Sequence, residues 1–446
     1  MKKFLILLSI ILVSSIQANA EITPYTNLSF WNKFNDEILL NNLKHVYQNN
    51  HDLKSAVLKV NESKRIVKMS FADELPHIGF QGYVGQIFHS SDEIFGDIEI
   101  PDFTEAHFLL PLNMNYEIDI WGKNHLKTKS KKKQLEMIKQ DEKAAYIYIS
   151  SAFAADYYNL IRYDKLIEYQ NLLIDLQQQV INSYKIKYEF GTATLSDIEL
   201  AEKNLTFMKE SLQKLSEKQD ILKNQLSVLI SDKDFENIDR LNFDNINFTL
   251  IPPKSIPFQI LDNRPDRVKS ELDLERIGID VKTARRELLP KFIINGNLGF
   301  NLYSISSSSK FLADLGVVPA WDLFMGGRKI QMLKLQKDKY EIAIQRYEKT
   351  ILTAIQESND ALYSMKTAEH IKFITNDRLK TDENELSYTK IREDAGTADN
   401  LDILQQEQKF ITSKMQTVSA KTNEIISAIN LYQALGGVDF TEIENL

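Results

Sequence analysis

Residues 184–205 read YKIKYEFGTATLSDIELAEKNL, and residues 388–410 read YTKIREDAGTADNLDILQQEQKF. Gly191 aligns with Gly396, Asp197 with Asp402 and Glu202 with Glu407, each pair 205 positions apart. Working outward, Glu74-Leu75-Pro76 followed by HIGFQGYVG recurs as Leu288-Leu289-Pro290 followed by KFIINGNLGF, at a shift of 214. The run YEIDIWGK (116–123) recurs more loosely as AWDLFMGGR (320–328), and NQLSVL (224–229) as NLYQAL (430–435). Matched blocks in the same order establish an internal duplication. Shared Lys, Glu and Leu content alone does not produce repeated strand and turn blocks.

The repeats span 21–232 and 259–446. Residues 233–258, with Pro252, Pro253 and Pro257, form the connector between them. Each repeat reads as a helix, two strands and a helical hairpin. In the first, a helix over 36–72 is broken near Asn49-Asn50-His51-Asp52, strands cover 77–88 and 106–121, and the hairpin covers 123–231. In the second, a helix over 265–288 starts with Asn263 as N-cap and Pro265 near the first position. Strands over 291–303 and 310–324 and a hairpin over 329–436 follow.

No glycine or proline interrupts 123–188 or 329–395. At 1.5 Å per residue each helix reaches about 100 Å. Ile147, Phe153, Tyr157, Leu160, Leu166, Leu173, Leu176 and Val180 give a packing stripe at three-four spacing. Gly191 and Gly396 end these helices in C-cap positions, with Thr194/Ser196 and Asp399/Asn400 capping the return helices.

The strands alternate with period two. Phe108, Leu110, Leu112, Met114, Tyr116 and Ile118 share one face, with Asn113, Asn115, Glu117 and Asp119 on the other. Phe292, Ile294, Leu298 and Phe300 likewise alternate with Asn295 and Asn297, and Gln81 takes a polar position in the first strand. About ten residues of such alternation suit a transmembrane barrel strand. A soluble sheet shows the same pattern, but no second apolar layer is present to cover this one. Trp121 and Trp321, at the ends of the second and fourth strands, sit where an interfacial aromatic belt is expected. The polar face, Gln81, Asn113, Asn115, Asn295 and Asn297, is expected to line water. The loops 89–104 and 304–310 are polar.

Four strands cannot close a barrel, and an open edge in lipid leaves backbone groups unpaired at several kcal/mol each. Two chains give eight strands, a barrel filled by its own side chains, so a conducting pore calls for at least twelve.

Residues 1–20 have the form of a secretory leader, with Lys2 and Lys3, an apolar core over 4–13 and an Ala18-Asn19-Ala20 cleavage site. Removing them turns the formal charge of −8 into −10, because two lysines and no acidic residue leave. That acidity argues against a nucleic-acid partner. The chain contains no cysteine, which excludes disulfides, thiolate chemistry and a lipidated N-terminal cysteine. Its seven histidines do not pair at metal-ligand spacing, and there is no phosphate loop or nucleophile elbow. No catalytic residue, metal site or cofactor is expected.

These features together resemble the TolC-type outer-membrane efflux proteins, the outer components of tripartite pumps. The likeness is carried by Trp31-Asn32-Lys33-Phe34, Asn49-Asn50-His51-Asp52-Leu53, the Leu-Pro pairs, residues 116–123, Asn263-Arg264-Pro265-Asp266 and the motifs around Gly191 and Gly396. It covers nearly the whole chain after the leader. It implies a mainly α protein with membrane β-structure: a homotrimer whose 12-stranded outer-membrane β-barrel continues as a long periplasmic α-helical barrel. It also implies outer-membrane lipid around the barrel, a periplasmic adaptor protein and an inner-membrane pump as partners, and efflux of drugs, metals or other small molecules. A type I protein-secretion channel has the same plan with a different inner partner. A periplasmic coiled-coil scaffold or adhesin stalk is the alternative of another class.

In the family, acidic residues after the tip glycine ring the periplasmic aperture, a role that the resemblance carries onto Asp402 in the second repeat and Asp197 in the first, with Asp399 a further gate candidate beside Asp402. Gly191, Asp197, Gly396, Tyr188 and Arg392 then form the hairpin tips that face the adaptor. The sequence departs from the pattern twice. The tyrosine three residues before the tip glycine is Tyr188 in the first repeat but Glu393 in the second, and the arginine that locks some members closed is replaced by Ala398, with Arg392 nearby.

Overall fold

The computed structural model describes residues 25–89, 94–95, 98–99, 103–231, 238–303 and 309–445. The expected leader, 1–20, and parts of both strand-joining loops lie outside the described residues. The chain forms two compact units. One contains residues up to Ala56, Glu142–Pro265 and Thr353 onward; the other contains Val57–Asp141 and Asp266–Leu352.

The elements run α1 (Leu28–Asn32), α2 (Glu37–Asn49), α3 (His51–Ala72), β1 (His77–Phe80), β2 (Tyr83–His89), β3 (Ile94–Phe95), β4 (Ile98–Glu99), β5 (Phe103–Ile118), α4 (Lys123–Glu189) and α5 (Leu195–Ile230). The second repeat supplies α6 (Pro265–Arg286), β6 (Lys291–Tyr303), β7 (Ser309–Ala320), α7 (Arg328–Asp394) and α8 (Asn400–Ala434). The long helices α4 and α7 each contain 67 residues, and both their starts and their ends are 205 positions apart. No helix among the described residues is long and apolar enough to cross a membrane.

The unit holding the hairpins is built around an aromatic core. Phe30, Trp31, Leu39, Leu43, Phe153, Tyr157, Leu226, Ile425 and Leu435 are fully enclosed. The Phe30 ring stacks on Tyr432 at 4.1 Å, and Trp31 meets Tyr432 at 5.2 Å and Phe34 at 5.5 Å. The start of the chain and the end of α8 are thereby joined. Asn50 interrupts the stretch between α2 and α3 by capping the latter: its Oδ1 accepts from the backbone of Asp52 and Leu53, and its Nδ2 donates to the Leu229 carbonyl. The inter-repeat connector is anchored by Ile238, Phe243 and Ile246, all buried in the same core.

At the start of the second repeat, α6 begins at Pro265, so Arg264 rather than Asn263 occupies the preceding position; Asn263 closes a 3-10 turn, Phe258–Asn263. Arg264 is buried, and its guanidinium donates to Glu357 at 2.6 Å. A buried cation with a carboxylate partner fixes this junction more firmly than a polar cap would.

The other unit carries the sheet, in the order β1/β2–β5–β6–β7, antiparallel throughout. Three strand expectations need correction. The strand read over 106–121 runs from Phe103 to Ile118. The strand read over 77–88 is two segments, β1 and β2, with Gln81 and Gly82 between them. Both segments pair with β5 in one continuous register, Phe80 with Leu112 and Tyr83 with Leu109. That register sets Gln81 opposite Pro111, which has no amide to donate, and Gly82 opposite Leu110. The strand read over 310–324 stops at Ala320, where its partner β6 begins at Lys291. Among the described residues, 321–324 have no neighbouring strand to continue against. Within the expected loop 89–104, β3 and β4 form a small two-stranded pair, Ile94 with Glu99 and Phe95 with Ile98.

Candidate functional site

The two hairpin tips use the same local chemistry. At the end of α4 the Thr192 amide donates to the Lys187 carbonyl at 2.8 Å and the Gly191 amide to Tyr188 at 2.9 Å. At the end of α7 Thr397 donates to Arg392 at 2.8 Å and Gly396 to Glu393 at 2.8 Å. This paired bonding terminates a helix when the next residue adopts left-handed φ; Gly191 and Gly396 stand at +69° and +71°. Each return helix then opens with a reciprocal capping box. The Asp197 amide donates to Thr194 Oγ1 and the Thr194 amide to Asp197 Oδ2. Asp402 donates its amide to Asp399 Oδ1 at 2.9 Å, and Asp399 donates to Asp402 Oδ2 at 3.0 Å.

Beneath the tips, Val180, Ile181, Ala201, Leu401 and Leu404 form a separate apolar cluster, with Leu176, Tyr184 and Leu205 against it. The first turn of α8 therefore packs on the hairpin of the first repeat. Lys187 Nζ binds the Asp399 carboxylate, and Asn400 Nδ2 donates to Ser183 Oγ. Lys187 was not singled out in the sequence, although it lies 205 positions before Arg392, which was. The aligned partners behave differently: Arg392 folds back on the Thr397 carbonyl of its own cap at 3.3 Å. Tyr188 is half exposed. Asp402 is exposed and uses one carboxylate oxygen in the capping box, so capping and a free face coexist on this residue.

The Lys187 ammonium and the amides of Asp402 and Leu401 hold the Asp399 carboxyl below its usual range, and the Thr194 hydrogen bonds do the same for Asp197. A depressed carboxyl stabilises the fold above its unfolded pKa and loses that contribution as pH falls through the lower folded value. The Lys187–Asp399 tie should hold from pH 7 to pH 5. Hydrogen exchange at 398–402, corrected for intrinsic rates, should stay unchanged over that interval. At pH 7, Asp399→Asn keeps a competent cap and should raise exchange by only about 2- to 5-fold, the scale of an exposed ion pair.

On the sheet, the register brings the predicted polar residues together. Asn113 stands opposite Asn297, and Asn115 opposite Asn295. Asn115 Nδ2 donates to Asn295 Oδ1 at 2.8 Å, and Asn297 Nδ2 to Asp314 Oδ2 at 3.0 Å. Gln81 has the same parity but lies in the interruption between β1 and β2. The opposite face carries cross-strand rows such as Phe80–Leu112–Leu298 and Tyr116–Ile294–Val317. Trp121 and Trp321 lie beyond the strand ends. Their indole N–H groups donate to the carbonyls of Pro290 at 2.7 Å and Leu288 at 3.1 Å, with the rings largely exposed. Among the described residues no cluster of three or more His, Asp or Glu can hold a metal ion.

Among the described residues the fold is a four-stranded sheet with two unpaired edges and two long helical hairpins. The model of the outer membrane efflux protein family matches residues 42–231 and 256–437, and the chain belongs to that family. It is 22% identical over 433 residues to the cation efflux system protein CusC of Escherichia coli K12, covering 93% of this chain and 89% of that one. It is 21% identical to the pyoverdine export outer membrane protein OpmQ of Pseudomonas aeruginosa, over 92% of this chain and 87% of that one. Among solved structures, the CmeC outer membrane channel of Campylobacter jejuni matches with a TM-score of 0.83 at 21% identity, covering 94% and 90% of the two chains. The outer membrane protein VceC of Vibrio cholerae matches at 0.80 with 20% identity, over 92% and 98%. The chain is thus an outer-membrane efflux channel subunit.

Proposed function

We propose that three copies of this chain form a passive exit duct, fed with small molecules by an inner-membrane pump through a periplasmic adaptor. The observation that carries the reading is the sheet: one polar and one apolar face, with both outer edges unpaired among the described residues. Lipid takes the apolar face, and Asn113, Asn115, Asn295, Asn297 and Asp314 line water. Trp121 and Trp321 stand at the headgroup boundary. The chain performs no chemistry, and the pump chooses the cargo. The names of its relatives, which include cation efflux and pyoverdine export, bracket the cargo class as metal ions and small organic molecules. The full chain, reconstituted in planar bilayers, should give stepwise, ohmic conductance; a protein that never inserts contradicts the reading.

The hairpin tips, with Gly191, Gly396, Tyr188, Asp197 and Arg392, face the adaptor. Asp402 forms the periplasmic gate, with Asp399 beside it. Three Asp402 carboxylates around one axis repel one another, and a divalent cation relieves that repulsion. Asp402→Asn keeps the acceptor for the Asp399 amide and removes the charge. It should raise the divalent concentration that half-blocks the single-channel current by about tenfold, the change expected when about 1.4 kcal/mol of ion attraction is lost. Unchanged block would remove Asp402 from the gate.

A further inference from the structure

The duplication fixes more than the plan of one chain. Advancing β1/β2 by 214 positions and β5 by 205 lays one strand hairpin on the other in register: the pair Ile78–Met114 becomes Phe292–Pro319, and Val84–Phe108 becomes Leu298–Ala313. The second shift is the one that relates the helices and their tips. The nine-residue difference therefore lies in the loop joining the strands, which is longer in the first repeat. The ladder between repeats, β5 with β6, pairs Leu112 with Leu298, Met114 with Gly296, Tyr116 with Ile294 and Ile118 with Phe292.

The outer edges of the sheet, β7 and β1/β2, stand in the same relation to each other, one repeat further on. Both are unpaired among the described residues. Both present large apolar side chains: Ile78, Phe80 and Val84 on one edge, Val317, Trp321 and Leu323 on the other, with Leu323 78% exposed. The equivalents also explain where β7 stops. β5 continues to Ile118 because Phe292 of β6 lies opposite. The position matching Ile118 in β7 is Leu323, beyond the observed end at Ala320.

We infer that the seam between copies repeats the β5–β6 register, so that a second copy of this chain adds its β1/β2 to β7 with Val84 opposite Val317, Gly82 opposite Pro319, Phe80 opposite Trp321 and Ile78 opposite Leu323. This rests on the trimeric duct described above and deepens it. All these positions lie on the apolar face, so the register keeps the two faces continuous around the seam; a slip of one residue would exchange them. It seats the Trp321 ring against Phe80 and sets the only proline of β7 against a glycine. β7 gains residues 321–323 as strand, with Ile78 of the partner subunit in the place Phe292 takes for Ile118.

The chain has no cysteine, so introduced thiols report the seam without background. Within one chain, positions 84 and 317 lie on opposite edges of a four-strand sheet, three spacings or roughly 14 Å apart across the strands and further still along them, because the register sets position 84 in line with 309 rather than 317; no disulfide spans that distance. The double variant Val84→Cys with Val317→Cys, oxidised as full-length protein in outer membranes, should run as covalently linked dimer and trimer on non-reducing gels and return to monomer on reduction. Val317→Cys combined with Gly82→Cys or Gln86→Cys displaces the thiols by about 7 Å along the strand, beyond disulfide reach, and should link poorly. If a shifted pair links as well or better, or if no pair links in a protein whose detergent mass is that of a trimer, the register is overturned and the duct stands. If no pair links and the mass is that of a monomer, both fail.

Discussion

Replacing Trp31 by alanine should lower the stability of the helical unit by about 3–5 kcal/mol, the range for removing an enclosed aromatic side chain. Trp31 is fully buried and contacts Phe30, Phe34 and Tyr432 edge-on or tilted. The loss combines apolar transfer with a cavity that Tyr432, already stacked on Phe30, cannot collapse into. Because this cluster ties α1 to the end of α8, the defect should be felt in both repeats. A fall in Tm on the order of 10 °C in detergent should accompany it. A variant that melts within a degree or two of the parent would show that the aromatic cluster does not set stability.

Gly436→Ala should be nearly as damaging for a different reason. Gly436 has φ of +70°, and a Cβ there would lie 2.8 Å from the Arg264 Cα and 3.1 Å from the Pro265 Cδ. Left-handed backbone costs an alanine about 1–2 kcal/mol, and overpacking against backbone adds about 1–3 kcal/mol. Gly191→Ala supplies the control. Its φ is +69°, but nothing lies within 4 Å of the added atom. It should cost only the backbone share, about 1–2 kcal/mol. Thermal unfolding of the two variants side by side measures the steric component; equal losses would place it at zero.

The fold class was open to reading because its evidence is periodic. Alternation along 108–118, and breaker-free runs ending at Gly191 and Gly396, mark strands and long helices whatever surrounds them. The duplication multiplied that signal: a motif too weak to interpret once became interpretable when it recurred at a constant shift. The boundaries that moved were those set by partners. β7 reads as strand to 324 in its residues but ends at Ala320, since a strand needs a neighbour to bond. The interruption at Gln81–Gly82 depends on Pro111, thirty residues away in sequence and opposite only once the hairpin is formed. At the tips, the capping residues follow from spacing, because Thr194 and Asp399 each precede an aspartate by three positions. The Lys187–Asp399 tie joins residues from different repeats, and a single sequence does not reveal which of two aligned cations, Lys187 or Arg392, reaches across and which folds back. Arg264 was similarly hidden behind the more familiar capping pattern of Asn263.

Electron microscopy of the full chain purified in detergent tests the central claim most directly. The account predicts a three-fold particle in which three sheets of four strands close into one twelve-stranded barrel, with three copies of Asp402 facing a common axis. A monomer that stays soluble without detergent, or a ring of another number of copies, would contradict it.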